Sequence, residues 1–140
     1  CGKGKTDKSF ENKEGYVQFE YAGKELRDMF ALSSLVISRA GANAICELLA
    51  LHKPNILIPL SAAASRGDQI LNARSFEKQG YSYVIEEENL TKETLDAAIK
   101  KVMTEKETYI SNMKSSQQLD SIHTILKLIE EASEKKKKKA

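Results

Sequence analysis

No apolar run in the sequence approaches the roughly 20 residues that a membrane-spanning helix needs, and no signal peptide opens the chain. Only two cysteines are present, Cys1 and Cys46, and neither makes metal-ligand spacing with His52 or His123. Reduced thiols in a cytoplasmic protein are the expected state. Prolines are also only two, as suits an ordinary globular composition. There is no GxGxxG, which ranks an unrelated Rossmann-like dehydrogenase low, and no DxD metal motif. No metal or other cofactor is expected. The GKT at Gly4–Thr6 lacks the glycine that a P-loop requires five positions earlier, and no apolar helix follows it.

What is present suits one compact domain: 140 residues, 41% hydrophobic and 30% charged. The opening CGKGKTDKSF has no methionine and reads as a fragment or a trimmed chain. The formal charge of +2 conceals an uneven distribution. Lys135–Lys139 form one block, and without them 17 basic residues face 20 acidic ones, a balance of −3. Basic clusters interleaved with aromatics are missing, so nucleic acid is not an expected partner. The lysine block is either a solvated helix end or an attraction to anionic lipid on the inner membrane leaflet. Residues 134–140 are set apart as a polybasic tail, and 1–133 as the folded domain.

Along the chain, residues 1–15 read as a polar loop and Tyr16–Tyr21 (YVQFEY) as a strand. Leu26–Ser34 carries apolar residues at 26, 29, 30 and 32, a short amphipathic helix. SLVIS (Ser34–Ser38) is a buried strand, and ANAICELLALH is a helix stopped at Lys53-Pro54. NILIPL (Asn55–Leu60) is continuously apolar, as in a parallel sheet covered on both faces. Asp68–Gly80 predicts a helix ended by Gly80, YSYVI a further strand, and Thr91 the cap of the next helix. A long helical segment from about Glu107 to Ser133 places Leu119, Ile122, Ile125, Leu126 and Ile129 on one stripe. Strand and helix thus alternate about four times. That order predicts right-handed βαβ units, a Rossmann-like α/β domain with a parallel sheet and helices on both faces, lacking its first strand or two.

In such sheets ligands bind beyond the carboxyl ends of strands, at the starts of the following helices. Ser38–Asn43 lies at such a place. Gly41 allows a tight turn and a close ligand, and the free N–H groups of a helix start bind anions. The following helix is apolar nearly all round and is expected to be largely buried. Its early polar residues, Asn43 and Glu47, stand four apart on one face, about 6 Å along the axis. A diphosphate at the helix start would leave Glu47 near a ribose; alternatively the pair marks the solvent-facing stripe. SAAASRGDQILNA repeats the arrangement, with Asp68, Gln69 and Asn72 opening a helix. These three either cap it or read sugar hydroxyls.

Taken together, ISRAGANAICELLALHKPNILIPL, SRGDQILNARSFEKQG and the GKG at Gly2–Gly4 resemble the nucleotide-sugar half of the MurG family of peptidoglycan glycosyltransferases, over nearly the whole chain. Either long segment alone suggests only the wider GT-B class. The resemblance implies the C-terminal, donor-binding half of a GT-B enzyme that transfers N-acetylglucosamine from UDP-GlcNAc to lipid I. By it, Glu47 matches a ribose-binding glutamate, and Gly41, Ala42 and Asn43 a diphosphate-binding helix start, with Arg39 just before. Asp68, Gln69 and Asn72 match a sugar-contacting block, although many relatives carry glutamine where this chain has Asp68. Gly4 and Lys5 fall in a loop near the phosphates, and Tyr21 and Ala22 near the uracil pocket. The family's acceptor loops and proposed catalytic base have no counterpart here, so no catalytic residue is assigned, and lipid I would be met by an absent N-terminal domain. The resemblance also implies a peripheral protein on the inner face of the cell membrane. A second reading is a stand-alone nucleotide-binding or scaffolding subunit that needs a separate acceptor-binding partner.

Overall fold

A computed structural model describes residues 1–64 and 66–116. The chain divides into two compact units, Cys1–Ser33 and the remainder from Ser34. The first unit holds one short 3-10 turn, Lys8–Phe10, and helix α1, Leu26–Leu32. Tyr16–Tyr21, predicted as a strand, is not one. Its backbone meets single bonds rather than a ladder: the Cys1 amino group donates to the Phe19 carbonyl and the Gly2 N–H to the Glu20 carbonyl. High β-propensity forms a strand only where a neighbouring strand offers paired groups. Most of the run's side chains are exposed, so burial does not enforce the pattern either.

The second unit is an α/β layer structure in the order β1 (Val36–Ser38), α2 (Ala42–Ala50), β2 (Asn55–Leu57), α3 (Asp68–Lys78), β3 (Tyr83–Val84), α4 (Lys92–Thr104) and α5 (Lys106–Lys114). Its sheet is parallel with order β1-β2-β3. Ile37 stands beside Ile56 and Ile56 beside Tyr83. Three strands are present among the described residues rather than the four expected, because Tyr16–Tyr21 does not pair. The central strand is buried throughout. Ile56 and Leu57 point to opposite faces and both are 0% exposed, so both faces of β2 are covered. The Rossmann-like parallel architecture is therefore as predicted.

Helix ends follow from local chemistry. α2 closes with the His52 N–H on the Leu49 carbonyl and the Lys53 N–H on the Leu48 carbonyl. This double bond pattern needs a left-handed residue, here His52 at φ 49°, and Pro54 bars continuation. α3 ends the same way: the Gly80 N–H meets the Glu77 carbonyl and the Tyr81 N–H the Phe76 carbonyl. The Phe76 and Tyr81 rings make the accompanying apolar contact, edge to face at 5.6 Å. α4 opens on Thr91, whose hydroxyl accepts the Thr94 N–H while Thr94 Oγ1 accepts the Thr91 N–H. Within the predicted Glu107–Ser133 helix, α5 ends at Lys114, and the apolar stripe from Leu119 to Ile129 and the lysine block lie outside the described residues.

The Gly80 turn also seats α5. Asn112 Nδ2 donates to the Gly80 carbonyl at 3.1 Å, and a Cβ on Gly80 would lie 2.5 Å from that nitrogen. Gly80→Ala therefore combines an unfavourable φ of +70° with loss of this bond. It is expected to destabilise the unit by about 1–3 kcal/mol in urea unfolding. A variant as stable as the parent would show that neither the turn nor the Asn112 contact matters.

Candidate functional site

The parallel order places the carboxyl ends of β1, β2 and β3 on one edge of the sheet, and the loops leaving β1 and β2, with the helices they enter, carry most of the predicted residues. From β1 the chain passes through Arg39, the fully buried Ala40 and Gly41 into α2. Gly41 has φ −67° and ψ 142°, a conformation open to any residue, so it is not required for a tight turn as expected. What glycine contributes is space: a Cβ there would meet nothing within 4 Å among the described residues. No side chain caps the α2 start. Its first N–H groups, which no helix can satisfy internally, face an open approach.

α2 is not largely buried as its composition predicted. Ile45, Leu48 and Leu49 form the buried stripe, whereas Ala42, Asn43, Cys46, Glu47 and Ala50 are exposed. Spacing of three and four residues turns only one side toward the sheet, whatever the apolar content of the other. Asn43 and Glu47 share the exposed side, one turn apart, directly along from the uncapped end.

The DQxxNA block lies at the start of α3, after Gly67 at φ 84°. Asp68 is exposed in the first turn. Gln69 Oε1 accepts the Leu60 N–H at 3.2 Å, fixing the loop after β2. Asn72 Nδ2 donates to the Ala40 carbonyl at 3.1 Å, fixing the approach to Gly41. The structure therefore brings Arg39, Gly41, Ala42, Asn43, Asn72 and Gln69 to one edge, with two amides tying α3 to the loops after β2 and β1.

Arg39 is also a tie. Its Nη1 donates to the Ile58 carbonyl at 3.2 Å and to the Pro59 carbonyl at 3.5 Å, and its Nη2 pairs with Glu87 Oε1 at 2.6 Å. Glu87 Oε2 accepts the Ser61 N–H at 3.2 Å. Hydrogen bonding from Arg39, and next from the Ser61 amide, holds the Glu87 carboxyl below its ordinary range. Sequence reasoning missed Glu87. It lies in EEEN, where three acidic residues in a row carry no spacing signal that singles one out. Beside it, Glu86 pairs with Arg74, which also meets Glu77 at 3.0 Å.

The remaining predicted residues belong to the first unit. Gly4, at φ +70°, donates its N–H to Glu20 Oε1 at 2.9 Å. The Lys5 N–H meets the Gly2 carbonyl at 3.0 Å. Tyr21 is 86% exposed and Ala22 half-buried. No group of three or more potential metal ligands occurs among the described residues.

Comparison with known families gives a match to the Glycosyltransferase family 28 C-terminal domain over residues 1–137. The chain belongs to that family. Among curated proteins, this family 28 domain is similar to the UDP-N-acetylglucosamine--N-acetylmuramyl-(pentapeptide) pyrophosphoryl-undecaprenol N-acetylglucosamine transferase of Lachnoclostridium phytofermentans, at 66% identity over 94% of the chain and 37% of the relative. Proteins of the same name match from Lachnospira eligens, at 62% over 95% of the chain and 38% of the relative, and from Geobacillus thermodenitrificans, at 58% over 93% and 36%. The chain thus spans somewhat more than a third of the length of these relatives. The kinship drawn from the two sequence segments is borne out at the level of family.

At this edge the family 28 domain offers an open helix start, a carboxylate one turn along, and amides with donors to spare. The geometry assigns Asn72 the task of holding the Ala40 carbonyl, a buried acceptor, beside that helix start. Asn72→Ala is expected to cost about 1–2 kcal/mol in chemical denaturation, because the carbonyl loses its partner. Unchanged stability would mean that water replaces the amide without loss.

Proposed function

We propose that this chain is the donor-binding domain of a glycosyltransferase that moves N-acetylglucosamine from UDP-GlcNAc to lipid I, forming lipid II in peptidoglycan synthesis. The observation that carries this reading is the uncapped start of α2 at the carboxyl end of β1, with Asn43 and Glu47 on its exposed face. Family membership and the names of the similar proteins support the same class of donor. In this reading the N–H groups of Ala42 and Asn43, reached past Gly41, hold the diphosphate, since a helix start combines free donors with the positive end of the dipole. Glu47 accepts two bonds from the ribose hydroxyls. Asp68 and the unused donors of Gln69 and Asn72 address the sugar, and Arg39 adds a positive charge beside the phosphates. By the resemblance of sequence, Gly4 and Lys5 are assigned to phosphate and Tyr21 and Ala22 to uracil. Acceptor binding and proton transfer belong to a separate N-terminal domain.

Calorimetric titration of the natural gene product is expected to show UDP-GlcNAc and UDP binding more tightly than ADP or NAD. Glu47→Ala should weaken UDP by about 1–3 kcal/mol, the usual worth of hydrogen bonds to a charged group, with little effect on stability. Preference for ADP would sink the assignment. A fall in stability with unchanged affinity per folded molecule would make Glu47 structural.

The membrane side of the reading rests on charge. No helix among the described residues is long and apolar enough to cross a membrane. Lys135–Lys139 supply an attraction of roughly 1 kcal/mol per lysine to an anionic surface, consistent with a peripheral protein of the inner leaflet. Vesicle sedimentation is expected to require anionic lipid and to weaken as salt rises, since exposed charges are screened beyond about 8–10 Å. Deleting Lys135–Lys139 should abolish that binding and spare UDP affinity. Equal sedimentation of the shortened and intact chains would reduce the block to a solvated end.

A further inference from the structure

One carboxylate meets donors from two of the loops that leave the sheet edge. Glu87 stands just beyond β3, and its two oxygens are divided between Arg39, just beyond β1, at 2.6 Å, and the Ser61 N–H, beyond β2, at 3.2 Å. Arg39 in turn reaches the Ile58 and Pro59 carbonyls. The segment leading into α2 is therefore gripped twice, at the Arg39 side chain by Glu87 and at the Ala40 carbonyl by Asn72. Gly41 and the open helix start follow at once.

Resting on the donor-binding reading, we infer that Glu87 is a positioning residue for the diphosphate of the donor, acting through Arg39 and the Ser61 amide on the placement of the α2 start. Fold stability is not its main contribution. The paired side chains are 49% and 33% exposed, and ion pairs in that setting add little to stability. Geometry is a different matter, because an anion site made of backbone N–H groups works only if the backbone is already in place.

The opposite sign has a physical basis too, since removing Glu87 unmasks the charge of Arg39 for an anion two residues away. The remaining bonds decide against it. Without Glu87, Arg39 keeps only its Nη1 bonds to the Ile58 and Pro59 carbonyls, the second at 3.5 Å, and the link from β3 to the Ser61 N–H is gone, so the approach to α2 is held less firmly.

The test compares UDP with uridine, which has the same base and ribose but no phosphate, in the natural gene product. Glu87→Ala is expected to weaken UDP about five- to tenfold while uridine changes less than about twofold, with a melting temperature close to the parent's. In the Arg39→Ala background the same change should add a smaller loss than in the parent, because the part that acts through Arg39 is already gone and only the Ser61 bond remains. The isosteric Glu87→Gln, which keeps one acceptor, should fall between parent and Glu87→Ala and covers the case in which the alanine variant folds poorly. Unchanged or tighter UDP binding, equal losses of UDP and uridine, or a full additional loss on top of Arg39→Ala would each overturn the inference. If the unmutated protein fails to bind UDP, the donor-binding reading falls and takes this inference with it. If it binds UDP normally and is indifferent to Glu87, this inference alone is lost.

Discussion

Asn55–Pro59 is buried along its whole length, and a strand pairs with β2 in parallel on each side. A parallel sheet cannot be closed by tight hairpins, so each strand must be followed by a helix that returns the chain to the same edge. The consequence is directional. The carboxyl ends of β1, β2 and β3 gather their loops together, and the helices that follow begin there, α2 and α3 without a side-chain cap and α4 capped by Thr91. Short strands suffice for this, since β2 needs only Ile56 and Leu57 to seal both faces. The opposite edge receives the helix ends, where the His52 and Gly80 turns satisfy the last carbonyls internally. Polar capacity is thus used up at one edge, and at the other the α2 start has no side-chain cap.

How that open edge is kept in order depends on side chains rather than on the sheet. Gln69 and Asn72 each join α3 to a loop, Arg39 and Glu87 join loops to one another, and between them they fix the approach to α2 and the chain beyond β2. Loops of small residues such as Ser61–Ala64 have few apolar contacts of their own, so their conformation rests on these bonds. Individual bonds of this kind contribute modestly to stability, but together they set where a backbone amide points.

Much of this was legible in the sequence. NILIPL was readable as a covered parallel strand because continuous apolarity fits no other short element bounded by turns, and Gly80 and Thr91 were readable as helix ends because left-handed closure and hydroxyl capping are chemically restrictive. Tyr16–Tyr21 misled because propensity is local and pairing is not. The α2 surface misled for a related reason: Ala42, Cys46 and Ala50 are apolar enough to suit a core, and only the placement of the sheet decides that Ile45, Leu48 and Leu49 face it instead. Glu87 was invisible, since its role arises from a partner 48 residues away and nothing in EEEN distinguishes it from its neighbours.

The DQxxNA block shows why a residue's place in a motif does not exhaust its work. Read as sequence, Gln69 and Asn72 invite a choice between capping and sugar recognition, and the structure gives them neither as their first task. Each spends one group on a neighbouring loop. A primary amide offers two donors and an acceptor with two lone pairs, so Gln69 retains both N–H groups after accepting from Leu60, and Asn72 retains its oxygen and one N–H after donating to Ala40. Organising the loops and meeting a hydroxyl-rich ligand are therefore compatible in the same side chain. Asp68, outward in the first turn, lacks donors altogether when ionised. A glutamine at that position would supply both signs of hydrogen bond, whereas Asp68 can only accept. The physical difference between aspartate and glutamine there is thus one of donor supply at the mouth of α3, separate from how the loops are held.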